Sequence, residues 1–394
     1  MTEFAPEAAA TAPPPPKPAP SRYRRKIPGL CSEDWQVLLT VLILSLVTLL
    51  FGAIAYELTA DRRIGPPLHW LAIWNWWDAP HYLELARRGY RNVGDDRFLI
   101  VFYPLFPWLV RLVSAAVRSA LISAFIVSGL ASFALGVFFR RLVALDYSRR
   151  IASDSVWFMF IFPTAYFLHI GYTEALFLAL VIGAFLAART EHWLSAGILG
   201  GLASLTRVNG ILLVAALGVE ALHQLWTIGR WRNRWLWLLL VPAGFLVYLW
   251  LNYHVYGNPL QFRLFENRHW GEGLYWPWRG IGETYRAVLW RQPSDAQMMG
   301  VQVLLFLAIG LAGTIASCVM LRPSYAAWNV VNLVLFASQT FDLSGPRYML
   351  TLFPVFIVFA MVARDRKWNA LITFWSLLSM GLFISRFVRG LWAF

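Results

Sequence analysis

Long apolar stretches without a single charge decide what this chain can fold into. Leu38–Ala55 reads LLTVLILSLVTLLFGAIA, and Val301–Leu321 reads VQVLLFLAIGLAGTIASCVML. About 18 or more such residues, wound as a helix, cross the hydrocarbon of a bilayer. In that medium backbone amides must bond one another, so such runs take the helical form. Charged residues are only 14% of the sequence, against about 25% in a soluble domain. The expected fold is therefore an all-α polytopic membrane protein.

Apolar periodicity and breaks predict about eleven transmembrane helices. They fall near 35–57, 119–142, 151–168, 174–189, 193–206, 210–226, 235–256, 298–321, 325–340, 349–363 and 368–385. The stretch 102–117 is apolar but interrupted by Pro104, Pro107 and Arg111. It reads as a short helix on the outer membrane surface.

Residues 1–30 form a Pro/Ala-rich tail, with PPPPKPAP at Pro13–Pro20 and the basic group Arg22, Arg24, Arg25 and Lys26. That composition predicts disorder. Residues 31–394 then form a single transmembrane domain. Basic residues mark cytoplasmic loops, which puts the tail inside. The same threading puts Arg140, Arg141, Arg149, Arg150, Arg189, Arg322 and the Arg230–Arg234 cluster inside. Two long loops, 58–118 and 257–297, fall outside.

The net charge of +13 sits beside apolar runs, so it points to topology and anionic lipid rather than to nucleic acid. The 21 tryptophans suit membrane interfaces. Cys31 and Cys318 lie far apart and build no disulfide framework or zinc site. No internal repeat is visible, whereas many secondary transporters carry one.

The first outer loop holds the densest chemistry. Trp76–Tyr90 reads WWDAPHYLELARRGY. Pro80 suits the first turn of a helix with Asp78 near its N-cap, and Gly89 suits its end. Asp78 has two readings, a helix cap or a carboxylate poised to deprotonate an attacking hydroxyl. His81 is a second proton acceptor nearby. Asp95 and Asp96 read as a solvated turn; two adjacent acids are weak evidence for a divalent-cation site. Arg207, Arg347, Arg386 and Arg389 stand at outer connections, where they either snorkel or bind an anion.

These residues resemble a known family. Trp77-Asp78-Ala79 with His81-Tyr82 and Gly89-Tyr90 is similar to the first-loop signature of PIG-V-type mannosyltransferases, the GPI second-mannose transferases and their bacterial relatives. Four more segments resemble that family in order: FYPLFP at Phe102–Pro107, FPTAYFLHIGYTEALFLAL at Phe162–Leu180, SLTRVNG at Ser204–Gly210, and SGPRYMLTLFPVF at Ser344–Phe356.

The resemblance implies a GT-C-type fold with short membrane-surface helices in the first outer loop. It implies a polyprenyl-phosphate sugar donor and a lipid or glycan acceptor, met on the extracytoplasmic face of a cell membrane; the Pro-rich, Arg-flanked amino end points to a bacterial inner membrane. By matching position, Asp78 is the catalytic carboxylate. Trp77, His81, Tyr82, Glu174, Arg207, Asn209, Arg347 and Tyr348 are the substrate-binding residues. Neither a cofactor nor a metal is required. The rival readings are a lipid-linked glycan flippase and a transferase of the same class that moves another sugar.

Overall fold

The computed structural model describes residues 29–394 except 61–62, 66–68, 272, 293–295 and 340–343. Most of the expected tail lies outside the described residues. The fold is helical, and among the described residues there is no strand, only one isolated bridge between Leu274 and Gln339. In chain order the α-helices are α1 (Ser32–Ala60), α2 (His69–Ala72), α3 (Ala79–Arg88), α4 (Leu105–Val117), α5 (Ala120–Val143), α6 (Arg149–Phe160), α7 (Glu174–Arg189), α8 (Trp193–Ser204) and α9 (Leu213–Ile228). They continue with α10 (Leu240–Tyr256), α11 (Gln261–Arg268), α12 (Pro277–Trp290), α13 (Gln302–Met320), α14 (Pro323–Ala337), α15 (Gly345–Tyr348), α16 (Pro354–Val362) and α17 (Arg366–Phe387).

Six helical stretches among the described residues are long and apolar enough to cross a membrane, or up to eight if two bent pairs each count as one span. This differs from about eleven for a physical reason. The expected spans at 151–168, 174–189, 193–206 and 325–340 correspond to α6, α7, α8 and α14, each shorter than 18 residues. Apolar content alone cannot separate a lipid-facing span from a short helix buried among others. The segment read as a surface helix at 102–117 is α4, which follows the turn Gly94–Val101 at an angle of 116°. The expected span 349–363 is likewise broken, with a bend of 86° between Gly345–Thr351 and Pro354–Val362.

Helix α7 is the axis of the bundle. All 16 of its residues are buried, so its even apolar character reflects protein neighbours on every side. Helices α5 and α8 flank it. Against α10, α8 presents Gly197 and Gly201, and α10 answers with Gly244. A Cβ on Gly244 would stand 1.9 Å from the Gly201 carbonyl oxygen. Only hydrogen atoms there permit this backbone approach.

The two ends of α7 carry opposite charge and are about 22 Å apart at 1.5 Å per residue. At its C-terminal end Arg189 meets Asp146 at 2.6 Å and Glu220 at 3.6 Å, and Arg322 meets the same Glu220 at 2.7 Å. Earlier in the chain Arg140 and Arg141 each meet Asp34 at 2.6 Å. These arginines are among those the sequence assigned to the cytoplasmic side; Arg140 and Arg141 share the buried Asp34, and Arg189 and Arg322 share the buried Glu220. At the N-terminal end of α7 stands Glu174.

Candidate active site

Glu174 is 1% exposed and is the first residue of α7. One carboxylate oxygen, Oε1, accepts hydrogen bonds from two arginines. Arg347 Nε donates to it at 2.5 Å, and Arg207 Nη1 donates to it as well. Arg207 Nη1 also reaches Thr173 Oγ1 at 3.2 Å. Arg347 Nη1 donates to Asp78 Oδ2 at 2.7 Å. Four charged groups from four separated segments thus form one chain: Arg207, Glu174, Arg347, Asp78. Burying such charges is tolerable only because each is paired with an opposite one.

Arg347 is held on its faces too. Its guanidinium carbon lies 5.0 Å from the Phe167 ring centre, 5.2 Å from that of Tyr172 and 5.4 Å from that of Phe394. Arg207 lies 5.5 Å from the Tyr348 ring centre. Cations over aromatic faces gain further attraction where water is excluded.

The five sequence motifs meet here through specific contacts. The Tyr82 ring packs edge-on against Phe102, Phe106 and Tyr172, with centres 5.3, 5.3 and 6.1 Å apart. The Leu105 amide donates to the Leu205 carbonyl at 3.0 Å. Thr164 Oγ1 donates to the Pro346 carbonyl at 2.9 Å. Each bond joins segments far apart in sequence.

Asp78 precedes α3, with Pro80 in the first turn and Gly89 closing the helix at φ 74°. Its side chain makes no capping hydrogen bond, so the cap reading gives way to the pairing with Arg347. The preceding Trp77 has φ 57°, a left-handed backbone that costs a non-glycine residue free energy. The surroundings hold that turn in place. Tyr172 Oη donates to the Trp76 carbonyl at 2.6 Å, Trp76 Nε1 donates to the Val388 carbonyl at 3.3 Å, and the Trp77 indole meets Trp392 edge-on at 4.7 Å.

The site opens into a cavity of about 390 Å³. Trp77, Asp78, His81, Tyr82, Arg207, Asn209, Arg347 and Tyr348 all line it. Glu174 does not; it lies behind the wall, while its neighbour Thr173 faces the space. Asn209 Nδ2 donates to Asn332 Oδ1 at 3.0 Å. The His81 ring packs against Phe102 and Trp270, with centres 5.1 and 5.8 Å away. Burial lowers the His81 pKa below its ordinary value, and the Asp78 carboxylate offsets only part of that. His81 is therefore neutral at neutral pH.

The other arginines and acids singled out by sequence lie elsewhere. Arg386 Nε donates to the Trp392 carbonyl at 2.9 Å and Arg389 Nε to the Ser385 carbonyl at 3.2 Å; neither lines the cavity. Asp95 and Asp96 sit on the Gly94–Val101 turn, with Asp96 at 3.8 Å from Arg88. No group of three or more metal-ligating side chains occurs among the described residues. Sequence reasoning missed Trp270, Glu266 and Trp392 as cavity walls. The only signal for the two tryptophans was the high tryptophan content, which reads equally well as interfacial, and Glu266 had none.

Residues 69–256 match the family model described as mannosyltransferase (PIG-V). Four of the five motifs fall inside that stretch; the Ser344–Phe356 segment falls outside it. Among curated proteins no relative matches the sequence. Solved structures that superpose include ArnT from Cupriavidus metallidurans bound to undecaprenyl phosphate, at 15% identity and a TM-score of 0.43, over 91% of this chain and 78% of that one. The apo state of the same protein superposes at 13% identity and a TM-score of 0.41, over 89% and 77%. Both likenesses are loose and overall.

Proposed function

We propose, from the match of residues 69–256 to the mannosyltransferase (PIG-V) family model, that this chain moves a mannosyl residue from a polyprenyl-phosphate donor to a lipid or glycan hydroxyl on the extracytoplasmic face. The observation that carries this reading is the pairing of Asp78 with Arg347 on the cavity wall. It sets a carboxylate and a guanidinium side by side, the two groups that displacement at a sugar phosphate needs.

The chemistry runs as one step. The acceptor oxygen attacks the anomeric carbon while the bond from that carbon to the phosphate oxygen breaks. Asp78 takes the acceptor proton, which contributes on the order of a hundredfold or more. The bonding electron pair leaves with the lipid phosphate. Arg347 and Arg207 stabilise that growing charge, worth roughly 3 kcal/mol for one well-placed donor. Guanidinium suits the task because its planar fork makes two charge-assisted bonds to phosphate oxygens. Base and leaving group on opposite faces of the sugar give inversion.

The aromatic walls supply the rest. Trp77, Phe102, Trp270 and Tyr348 border the cavity and offer flat apolar faces to a sugar ring. Neutral His81 beside Asp78 adds no positive charge to hold the carboxylate away from its proton. Donor class is tested by offering purified protein radiolabelled mannose as polyprenyl-phosphate mannose or as a nucleotide sugar. Label should enter product from the lipid donor alone; transfer from the nucleotide sugar alone would overturn the reading.

A further inference from the structure

Glu174 and Asp78 are both paired with Arg347, but only one of them can leave. The Glu174 side chain is 1% exposed and held by two arginines, whereas that of Asp78 is 28% exposed and borders the cavity. Among the described residues the Asp78 side chain has no other hydrogen-bond partner, neither cap nor second arginine. Arg347 is fixed by Glu174 along one edge and by three aromatic rings.

The charges close the argument. Two guanidinium groups face two carboxylates, so the four-residue chain is neutral. With Asp78 withdrawn it carries one positive charge, which matches the single negative charge of a phosphodiester. Resting on the donor class proposed above, we infer that the edge of Arg347 now held by Asp78 is the subsite for the donor's phosphate, and that the carboxylate occupies it until the donor arrives. Binding of the donor displaces Asp78 from Arg347 and turns it toward the acceptor. Glu174 is then a positioning residue, a permanent counter-ion that fixes both arginines and trims their charge to suit a monoanion. It follows that the donor binds before the acceptor can react.

The inference predicts an unusual sign. Removing the carboxylate that competes for Arg347 should tighten binding of the lipid phosphate while abolishing transfer. The measurement is the affinity of a short polyprenyl methyl phosphodiester, which carries one negative charge as the donor does, for purified wild type, Asp78→Asn, Asp78→Ser and Arg347→Gln in neutral detergent, read by intrinsic tryptophan fluorescence. Both Asp78 variants should bind about tenfold tighter, the scale of one released ion pair, and Arg347→Gln should bind weaker than wild type. Equal or weaker binding by both Asp78 variants, with wild type binding and transferring normally, overturns the displacement and leaves the transferase reading standing. If neither wild type nor any variant binds the lipid phosphate, the donor class falls and the displacement with it.

Discussion

The Tyr172 hydroxyl donates to the Trp76 carbonyl at 2.6 Å, tying the start of α7 to the turn that presents Asp78. Tyr172 is fully buried, and its ring also packs against Phe167 at 4.8 Å and Phe387 at 6.0 Å. The bond thus anchors a strained turn to the most buried part of the bundle. Tyr172→Phe keeps the ring and removes the hydroxyl. We expect a stability loss of about 1 kcal/mol, the net worth of one hydrogen bond, and a fall in kcat of about tenfold with little change in KM, because misplacement acts on the reacting geometry. Steady-state kinetics alongside thermal unfolding in detergent checks both.

Glu174→Gln should be costly in a different way. Arg207 and Arg347 would keep their charges and lose the shared carboxylate. Breaking a buried pair from one side costs about 3 kcal/mol, so the variant should show a lower unfolding midpoint and a lower yield of folded protein. Glu174→Asp should restore part of the stability. Unfolding midpoints of the three proteins at one pH decide the point.

The pH dependence of stability follows from His81. Its pKa in the folded protein lies below the ordinary value of 6.5 because burial disfavours the charged ring. Between the two values the unfolded chain binds more protons than the folded one, so stability rises with pH there. Acidification through about 6.5 therefore destabilises the protein until the folded-state value is reached, where the loss levels off. His81→Gln should flatten that acid-side decline, seen as a smaller drop in unfolding midpoint between about pH 7.5 and about pH 5.5, roughly one unit on either side of the free histidine.

Much of this site was legible in the sequence, and the reasons are local. Trp77-Asp78-Ala79-Pro80 carries its own turn chemistry, so the helix start at Ala79 and its end at Gly89 followed from residue type. The uncharged runs at 38–55 and 301–321 announced α1 and α13 by length. What remained hidden depends on packing. Glu174 looked like a cavity residue because it stands in a motif with Thr173, yet a one-residue rotation along α7 sends it behind the wall. Helices α6, α7, α8 and α14 read as spans because their side chains are apolar, yet each is shorter than 18 residues, and helix length is set by caps and packing that composition does not show. Trp270 and Trp392 reach the cavity from α11's end and from the segment after α17, and no spacing rule links those places to residue 78.

In the proposed reaction Asp78 takes the acceptor proton. The most direct test is transfer of radiolabelled mannose from polyprenyl-phosphate mannose into membrane lipids or glycans, comparing wild type with Asp78→Asn at matched membrane expression and matched unfolding midpoint. Wild type should transfer label, and the variant should lose on the order of a hundredfold or more of that activity. Equal transfer by the two proteins would contradict that role for Asp78.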